Sequence, residues 1–523
     1  MIIFVEIDLI LLQQTYNFIG LCKSTSFYKT NSPVMLPYKN LIAIERQSKQ
    51  PVYLQIVESF IELIQQGRLP AKNKLPSSRA LSQLIGVHRN TVSAAYEELE
   101  AQEWVEIKPQ RGVFVHAKMP VVHPQFLDAS TKQADAPNYA LVSHHHIQPP
   151  QTKNGCLYEL NDGIPDIRLA PLELLGRTYR SILKRAKHKQ WLDYNDPLGV
   201  LELRTAVSKY LNATRGIASE LDNIFISRGS MMGLYVVAQT LLRPNDIVVV
   251  GQLNYNTANM IFRKAGAVLK TISIDEAGIV VDELEELCLT TNIRVVYVAS
   301  HHHHPTTVTL SANRRVQLLA LAQQYGFAII EDDYDYDFHY QRNPTLPLAS
   351  IDGLGNVIYI GSLSKVLAPA FRVGFVVAHP ALIQELGLLR RIIDRQGDVP
   401  LEKSVAELFQ EGIIQRHIRK SLRIYKKRRD ALCMLLAQHL PSEVAFQVPS
   451  GGMALWARFA SDINLDGTIQ KAARQGLFVA NGYAREMPEV NATRLGFASS
   501  SVDELEQAVL ILKKSLVFQK KKN

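Results

Sequence analysis

Two hydrophobic rhythms run along the chain, separated by a proline-containing stretch. Upstream of it, Leu54, Val57, Ile61 and Ile64 recur at i, i+3, i+7 and i+10, which predicts one face of a helix that Gly67 ends. Leu75-Pro76-Ser77-Ser78 opens a second helix with a serine in cap position, and Ala80, Leu81 and Leu84 form its apolar side. Ile85-Gly86-Val87 gives a tight reversal, glycine permitting the positive φ this needs. A third helix starts at His88-Arg89-Asn90-Thr91, with Val92, Ala95, Tyr96 and Leu99 facing inward. Trp104–Lys108 and Val113–His116 read as short strands around the turn Pro109-Gln110-Arg111-Gly112. Downstream the rhythm changes to short runs rich in β-branched residues: Ile224–Ile226, Val295–Ala299, Phe327–Ile330 and Val357–Ile360. These predict buried strands, and an apolar helical run from Met231 to Leu242 follows the first.

Chemistry gathers where those strands end. Ser362, Ser364, Lys365 and Arg372 follow Val357–Ile360, two hydroxyls and two cations close together. Lys365 is either a solvated surface charge or an amine that forms an imine with an aldehyde cofactor, the hydroxyls and Arg372 gripping an anionic handle. Glu331-Asp332-Asp333-Tyr334 follows Phe327–Ile330, and open α/β sheets place ligand contacts at the carboxyl ends of strands. An acid there can keep a pyridine nitrogen protonated, which makes the ring an electron sink, and Tyr334 can meet a ring hydroxyl. Gly229 and Ser230 open a helix directly after Ile224–Ser227, so free N–H groups and the helix dipole face an anion.

Together these stretches resemble the fold-type I pyridoxal phosphate enzymes, the aspartate aminotransferase superfamily, from about Leu157 to Leu516. Tyr194-Asn195-Asp196-Pro197-Leu198-Gly199 and Thr493-Arg494-Leu495-Gly496 add to the likeness. The resemblance implies an α/β domain with a mainly parallel sheet and a smaller C-terminal α+β subdomain. It assigns Lys365 to the Schiff base with the cofactor, Asp332 to the pyridine nitrogen, Tyr334 to the ring oxygen and Tyr255 to stacking on the ring. It assigns the phosphate to Ser230, Ser362, Ser364 and Arg372, and a substrate α-carboxylate to Arg494 through a bidentate fork. Some positions depart from the pattern. Gly251 and Leu253 replace an acid and a proline before Tyr255, and His304 and Thr307 replace the asparagine and glycine of an asparagine-proline-threonine-glycine turn.

The upstream segment, residues 36–118, has the order of a winged helix-turn-helix, mostly α with a small β wing. Arg68, Lys72, Lys74, Arg79 and Arg89 lie in a window, Arg68–Tyr96, that contains no Asp or Glu. A cationic face around the third helix suits phosphate contact. Arg89, Asn90 and Thr91 are the candidates to reach bases or phosphates, and Ser77, Arg79 and Arg111 to fix register. Leu75–Tyr96 resembles a GntR-type winged helix, except that His88 stands at its usual serine cap and Gln102-Glu103-Trp104 lacks its usual glycine.

Charge and cysteines refine this picture. A net charge of +9 permits a polyanionic partner. Four dispersed cysteines argue against a disulfide framework or zinc site and fit a reducing cytoplasm, and no run is long enough to span a membrane. Residues 1–35 carry no interpretable pattern, and Met35 is an expected alternative start. Residues 119–156, with five prolines among them, are the expected linker, 157–516 the large domain, and 517–523 a basic tail. His144–His146 and His301–His304 lack the partners of a metal site, and the second run is expected to be a cofactor-side loop. The acid-free run Arg416–Arg429 is either a solvated helix face or a second DNA contact.

The fusion of the two halves resembles the MocR (GabR-like) regulators. That resemblance implies a cytoplasmic, homodimeric transcriptional regulator that binds a double-stranded DNA operator and uses pyridoxal 5'-phosphate to sense an amino compound, or the cofactor itself. The alternative is an amino acid:2-oxo acid aminotransferase with an accessory DNA-binding domain.

Overall fold

A computed structural model of the chain describes residues 37–118 except 49, residues 155–519 except 186–188, 341–344 and 481–489, and isolated residues between 137 and 153. The expected N-terminal extension, most of the linker including His144–His146, and the end of the basic tail lie outside the described residues. The chain forms two compact units that divide at Ala140 and Leu141.

In the first unit, helices Val52–Gln65, Ser78–Ile85 and Arg89–Ala101 are followed by the antiparallel strands Val105–Lys108 and Gly112–Val115. This is a winged helix-turn-helix, with a short extra helix, Tyr38–Leu41, ahead of it. The inner face of the third helix is as expected: Val92, Ala95, Tyr96 and Leu99 are buried. The first helix is rotated from the expected stripe, because Ile56, Phe60 and Leu63 join Val57 and Ile64 in the core while Leu54 and Ile61 stay half-buried. In the second helix only Leu81 and Ser82 are buried, and Ala80 and Leu84 face solvent. Tyr96 ties the third helix to the turn ahead of the second by donating to Pro76 O at 2.8 Å.

The two departures from the GntR pattern have local solutions. His88 caps the third helix itself, its Nδ1 accepting from Asn90 N at 3.3 Å. Glu103 takes the left-handed conformation, φ +60°, that a glycine would adopt without strain.

The second unit is built on a seven-stranded sheet in the spatial order Ile224–Ser227, Gly374–Val377, Val357–Ser362, Ala328–Asp333, Ile293–Val298, Ile247–Gly251 and Val268–Ile272. Neighbours are parallel except Gly374–Val377, which runs against both strands beside it. The apolar strand runs noted above are buried on both faces, as parallel sheets covered by helices require. A smaller α+β part follows: the 27-residue helix Ile413–His439, and an antiparallel sheet of Val444–Phe446, Ala454–Phe459 and Ala492–Gly496. The first strand of the unit, Tyr158–Leu160, pairs in parallel with Leu477–Val479 in this late part. The long helix turns Arg416, Arg419, Lys420, Arg423, Lys426 and Lys427 to solvent along one face, while Arg428 turns inward to Asp166 at 2.9 Å. Among the described residues no helix is long and apolar enough to cross a membrane.

The strained and relaxed left-handed positions of the winged unit give opposite expectations. Glu103→Gly raises the stability of that unit by about 0.5–1 kcal/mol, since strain is relieved but chain entropy is lost. Gly86→Ala, at φ +69° in open space, lowers it by about 1 kcal/mol. Thermal denaturation of the full chain, following the lower-order transition of the winged unit, checks both signs.

Candidate functional site

The lysine loop is held between two antiparallel strands. Ser362 pairs with Gly374, so the chain leaves the sheet after Ser362, carries Ser364, Lys365 and Arg372 around the loop, and returns next door. Gly374 allows the return: a Cβ there would come within 2.6 Å of the Gly229 backbone. The start of the helix Gly229–Leu241 is thereby drawn against the loop. Gly229, at φ +77°, leaves the space Arg372 fills, since a Cβ on it would meet Arg372 Nη2 at 2.4 Å. Arg372 Nη1 lies 3.4 Å from Ser364 Oγ and Ser364 N donates to Ser362 Oγ at 3.2 Å.

One strand over, Asp332 and Asp333 pair with Ile360 and Gly361. Alternation sends their side chains to opposite faces. Asp332 faces a cavity of about 240 Å³ that Lys365, Ser230, Tyr255 and Tyr334 also line. Ser362, Ser364 and Arg372 line it too. The eight residues expected around the cofactor thus meet in one place. Tyr334 donates to His302 O at 2.7 Å, and the ring of Tyr255 meets His304 edge-on at 5.1 Å.

The electrostatics are set by burial and by the charged groups around the cavity. Burial pushes Asp332 up to about 6, a hydrogen bond from Tyr297 at 2.7 Å opposing that rise and nearby Asp335 adding to it. The other oxygen, Asp332 Oδ1, is buried and has no partner among the described contacts. Burial also holds the Lys365 ammonium below its usual value, although Asp162 and Asp335 pull the other way. Lys365 Nζ donates to Gly163 O at 2.5 Å.

Three contributors were not assigned a role from sequence. Tyr297 lies inside a strand that reads only as core. Asp162 lines the cavity from a loop about 200 residues before the lysine, and a lone acid carries no pattern that would find it. His304 was expected as a turn position in a cofactor-side loop, with no partner named; its Nε2 lies 2.9 Å from Asp162 Oδ2. Arg494, on the strand Ala492–Gly496, is 1 % exposed and its Nε lies 2.7 Å from Asp162 Oδ1. The buried histidine run divides among separate partners: His301 meets Thr345 O, His302 Asp335, and His303 Thr306.

The residues fit pyridoxal phosphate. An unpartnered buried carboxylate oxygen, a helix start with hydroxyls and a guanidinium, and a primary amine line the same cavity.

In the winged unit, Ser77 accepts from Ala80 N as the cap of the second helix, at 3.2 Å. Arg79, Arg89, Asn90 and Arg111 are exposed, Thr91 is half-buried, and Arg89 Nε lies 3.4 Å from Ser78 Oγ. These groups surround the start of the third helix and the wing turn. Lys74 and Lys108 flank the Phe114 ring at 5.8 and 5.6 Å.

Comparison with known proteins agrees with both halves. Residues 52–115 match the family described as bacterial regulatory proteins, gntR family. The uncharacterized HTH-type transcriptional regulator YdfD of Bacillus subtilis is 28% identical over 89% of this chain and 96% of its own length. The probable rhizopine catabolism regulatory protein MocR of Rhizobium meliloti is 26% identical over 84% of this chain and 87% of its own. Among solved structures, Pyrococcus horikoshii kynurenine aminotransferase, crystallised in complex with PMP, is 29% identical with a TM-score of 0.63, covering 68% of this chain and 90% of that one. Residues 164–512, well over half of the chain, match the remaining family, and the protein belongs to it: aminotransferase class I and II, here fused to a gntR-family DNA-binding unit.

Proposed function

We propose that this protein is a pyridoxal phosphate-dependent transcriptional regulator whose aminotransferase-like unit senses an amino compound. The observation that carries the reading is the fusion itself. The regulators of Bacillus subtilis and Rhizobium meliloti align across both units, whereas the kynurenine aminotransferase aligns only with the large one. DNA is the partner of the winged unit, which makes the cytoplasm the place of action. We take the working form to be a homodimer, whose two winged units match two half-sites of an operator.

When bound, pyridoxal phosphate supplies an aldehyde that condenses with primary amines and a ring that withdraws electrons. The residues around it have distinct tasks. Ser230, Ser362, Ser364 and Arg372 hold the phosphate, with the N–H groups at the start of Gly229–Leu241. Asp332 would keep a proton on the ring nitrogen, and Tyr297 fixes the orientation of its carboxylate. Tyr255 and Tyr334 close the cavity walls around the ring. Lys365 provides the attachment amine, and burial lowers its pKa, which favours the neutral, nucleophilic form. Incoming amines compete with Lys365, and the resulting rearrangement alters the hold on DNA by shifting a two-state equilibrium. An aminotransferase role would instead show steady turnover of an amino acid with a 2-oxo acid.

Borohydride treatment of the loaded protein is expected to leave a pyridoxyl mass on Lys365 and none in Lys365→Ala; peptide mass spectrometry reads this. An unlabelled Lys365 after saturation would sink the reading.

Tyr297→Phe removes the donor that restrains Asp332, so the Asp332 pKa rises beyond about 6 and its ionised fraction at pH 7 falls. Cofactor affinity is then expected to drop about tenfold at pH 7 and to recover towards pH 8.5, where the carboxylate ionises again; a fluorescence titration at both values decides it.

On the DNA side, Arg89→Ala is expected to weaken operator binding by about 1–3 kcal/mol. Arg111→Ala should flatten the plot of log affinity against log salt by about one. Anisotropy titrations across salt concentrations measure both.

A further inference from the structure

The family resemblance gives Arg494 the carboxylate of an amino acid, yet the carboxylate it holds belongs to this chain. Its Nε lies 2.7 Å from Asp162 Oδ1, and its Nη1 points to Pro305 O at 3.3 Å. His304 reaches the same carboxylate, with Nε2 at 2.9 Å from Oδ2 and 3.2 Å from Oδ1. Asp162 lines the cavity and keeps 40% of its side chain exposed, whereas Arg494 stands behind it and is 1 % exposed. A ligand entering the cavity therefore meets a carboxylate first.

The loop that carries Asp162 is braced. Asn161 Oδ1 accepts from Gly163 N at 2.9 Å and from Ile164 N at 2.8 Å, closing a turn around Asp162. Asn161 O accepts from Gly496 N at 2.7 Å, which fastens the turn to the end of the strand that bears Arg494. Gly163 sits at φ +82°, and a Cβ there would press on Arg494 Nη2 at 3.2 Å. The next carbonyl, Gly163 O, is the acceptor of Lys365 Nζ. Any amine that exchanges with Lys365 thus arrives one residue from the Asp162 carboxylate.

We propose that the ligand of this site is a primary amine with no carboxylate beside its amino group, diamines above all, and that Asp162 is the residue that sets this choice. The inference rests on the cofactor-dependent sensing reading given above and names the ligand class. Its physical basis is the sign of the charge. A carboxylate on the ligand must either lie against Asp162, a like charge in a largely buried site, or displace it from Arg494 and His304 together. A ligand without one leaves that three-membered arrangement whole, and a second ammonium group gains the cavity-facing side of Asp162 as its partner. Asp162 does not escape by taking up a proton: His304 and Arg494 outweigh its burial and hold it below the usual carboxylate range. Burial depresses His304 itself, although Asp162 pulls it the other way.

The test uses the full-length, cofactor-loaded protein and two matched pairs: 1,4-diaminobutane with L-ornithine, and 2-phenylethylamine with L-phenylalanine. Calorimetry and the visible absorbance change give the affinity of each. The amine of each pair is expected to bind at least tenfold more tightly than its amino acid, with 1,4-diaminobutane ahead of 2-phenylethylamine. In Asp162→Asn, which uncovers the charge of Arg494, the amine-to-amino-acid ratio should fall at least tenfold. Amino acids binding as tightly as the amines in the unaltered protein would overturn the proposal, and so would an unchanged ratio in a folded Asp162→Asn. The two readings fail separately, because the borohydride label reports cofactor attachment and the affinity ratio of the loaded protein reports the ligand class. A missing pyridoxyl label on Lys365 removes the cofactor reading, and an inverted ratio removes this one.

Discussion

The parallel pairing of Ala328–Asp333 with Val357–Ser362 is the constraint on which the large unit depends. It puts the acids of one strand and the lysine loop of the next at the same edge of the sheet. A slip of one residue would send Asp332 to the opposite face and bring Asp333 to the cavity in its place. Register is held by more than the ladder. Tyr359 donates to Asp333 Oδ2 at 2.6 Å and accepts from Arg215 Nε at 2.8 Å, and Arg215 pairs with Asp337 at 3.0 Å. All of these side chains are buried or nearly so, and slipping the strands would leave several of them without partners, which is costly. The two neighbouring acids thus divide the work, one stabilising the register and the other facing the ligand.

Burial then tunes each group according to its partners. Asp333 rises to about 7 even with Arg215 and Tyr359 beside it, and Asp332 to about 6 with only Tyr297 as donor. Asp162 goes the other way, because His304, Arg494 and Lys365 all favour its anion, whereas Asp333 also feels the acids Glu331 and Asp335. Within one site, then, one carboxyl is poised to share a proton and another is locked as an anion. That separation follows from the sign of the charges around each group rather than from residue type.

How much of this was legible in the sequence follows from whether the signal was local. Ser362, Ser364, Lys365 and Arg372 sit in one loop after one strand, so the strand pattern and the side-chain chemistry could be read together. The inner face of the third winged helix was legible because Val92, Ala95, Tyr96 and Leu99 alternate with polar neighbours. The first helix misled because Val52–Gln65 is apolar on more than one side, and the stripe through Leu54 and Ile61 competes with the one through Ile56, Phe60 and Leu63 that wins the core. Tyr297 was hidden because a strand tyrosine in a buried run reads as packing. Asp162 could not be found from pattern at all: its meaning comes from Arg494 and His304, which only the fold brings to it.

Asp162 also lies on a particular path through the chain. The segment that leaves the linker forms Tyr158–Leu160, pairs with Leu477–Val479, and runs directly into Asn161, Asp162 and Gly163. The first strand of the large unit therefore leads straight into the loop whose Gly163 O accepts from Lys365 Nζ. Linkage sets what this can achieve. A ligand changes the hold on DNA only by as much as it prefers one state over the other, and moving a population from 1:99 to 99:1 takes about 10⁴-fold of preference. A compound that breaks the contact from Lys365 Nζ to Gly163 O acts on the loop that carries Asp162. A compound that leaves that contact as it was gains no preference from it.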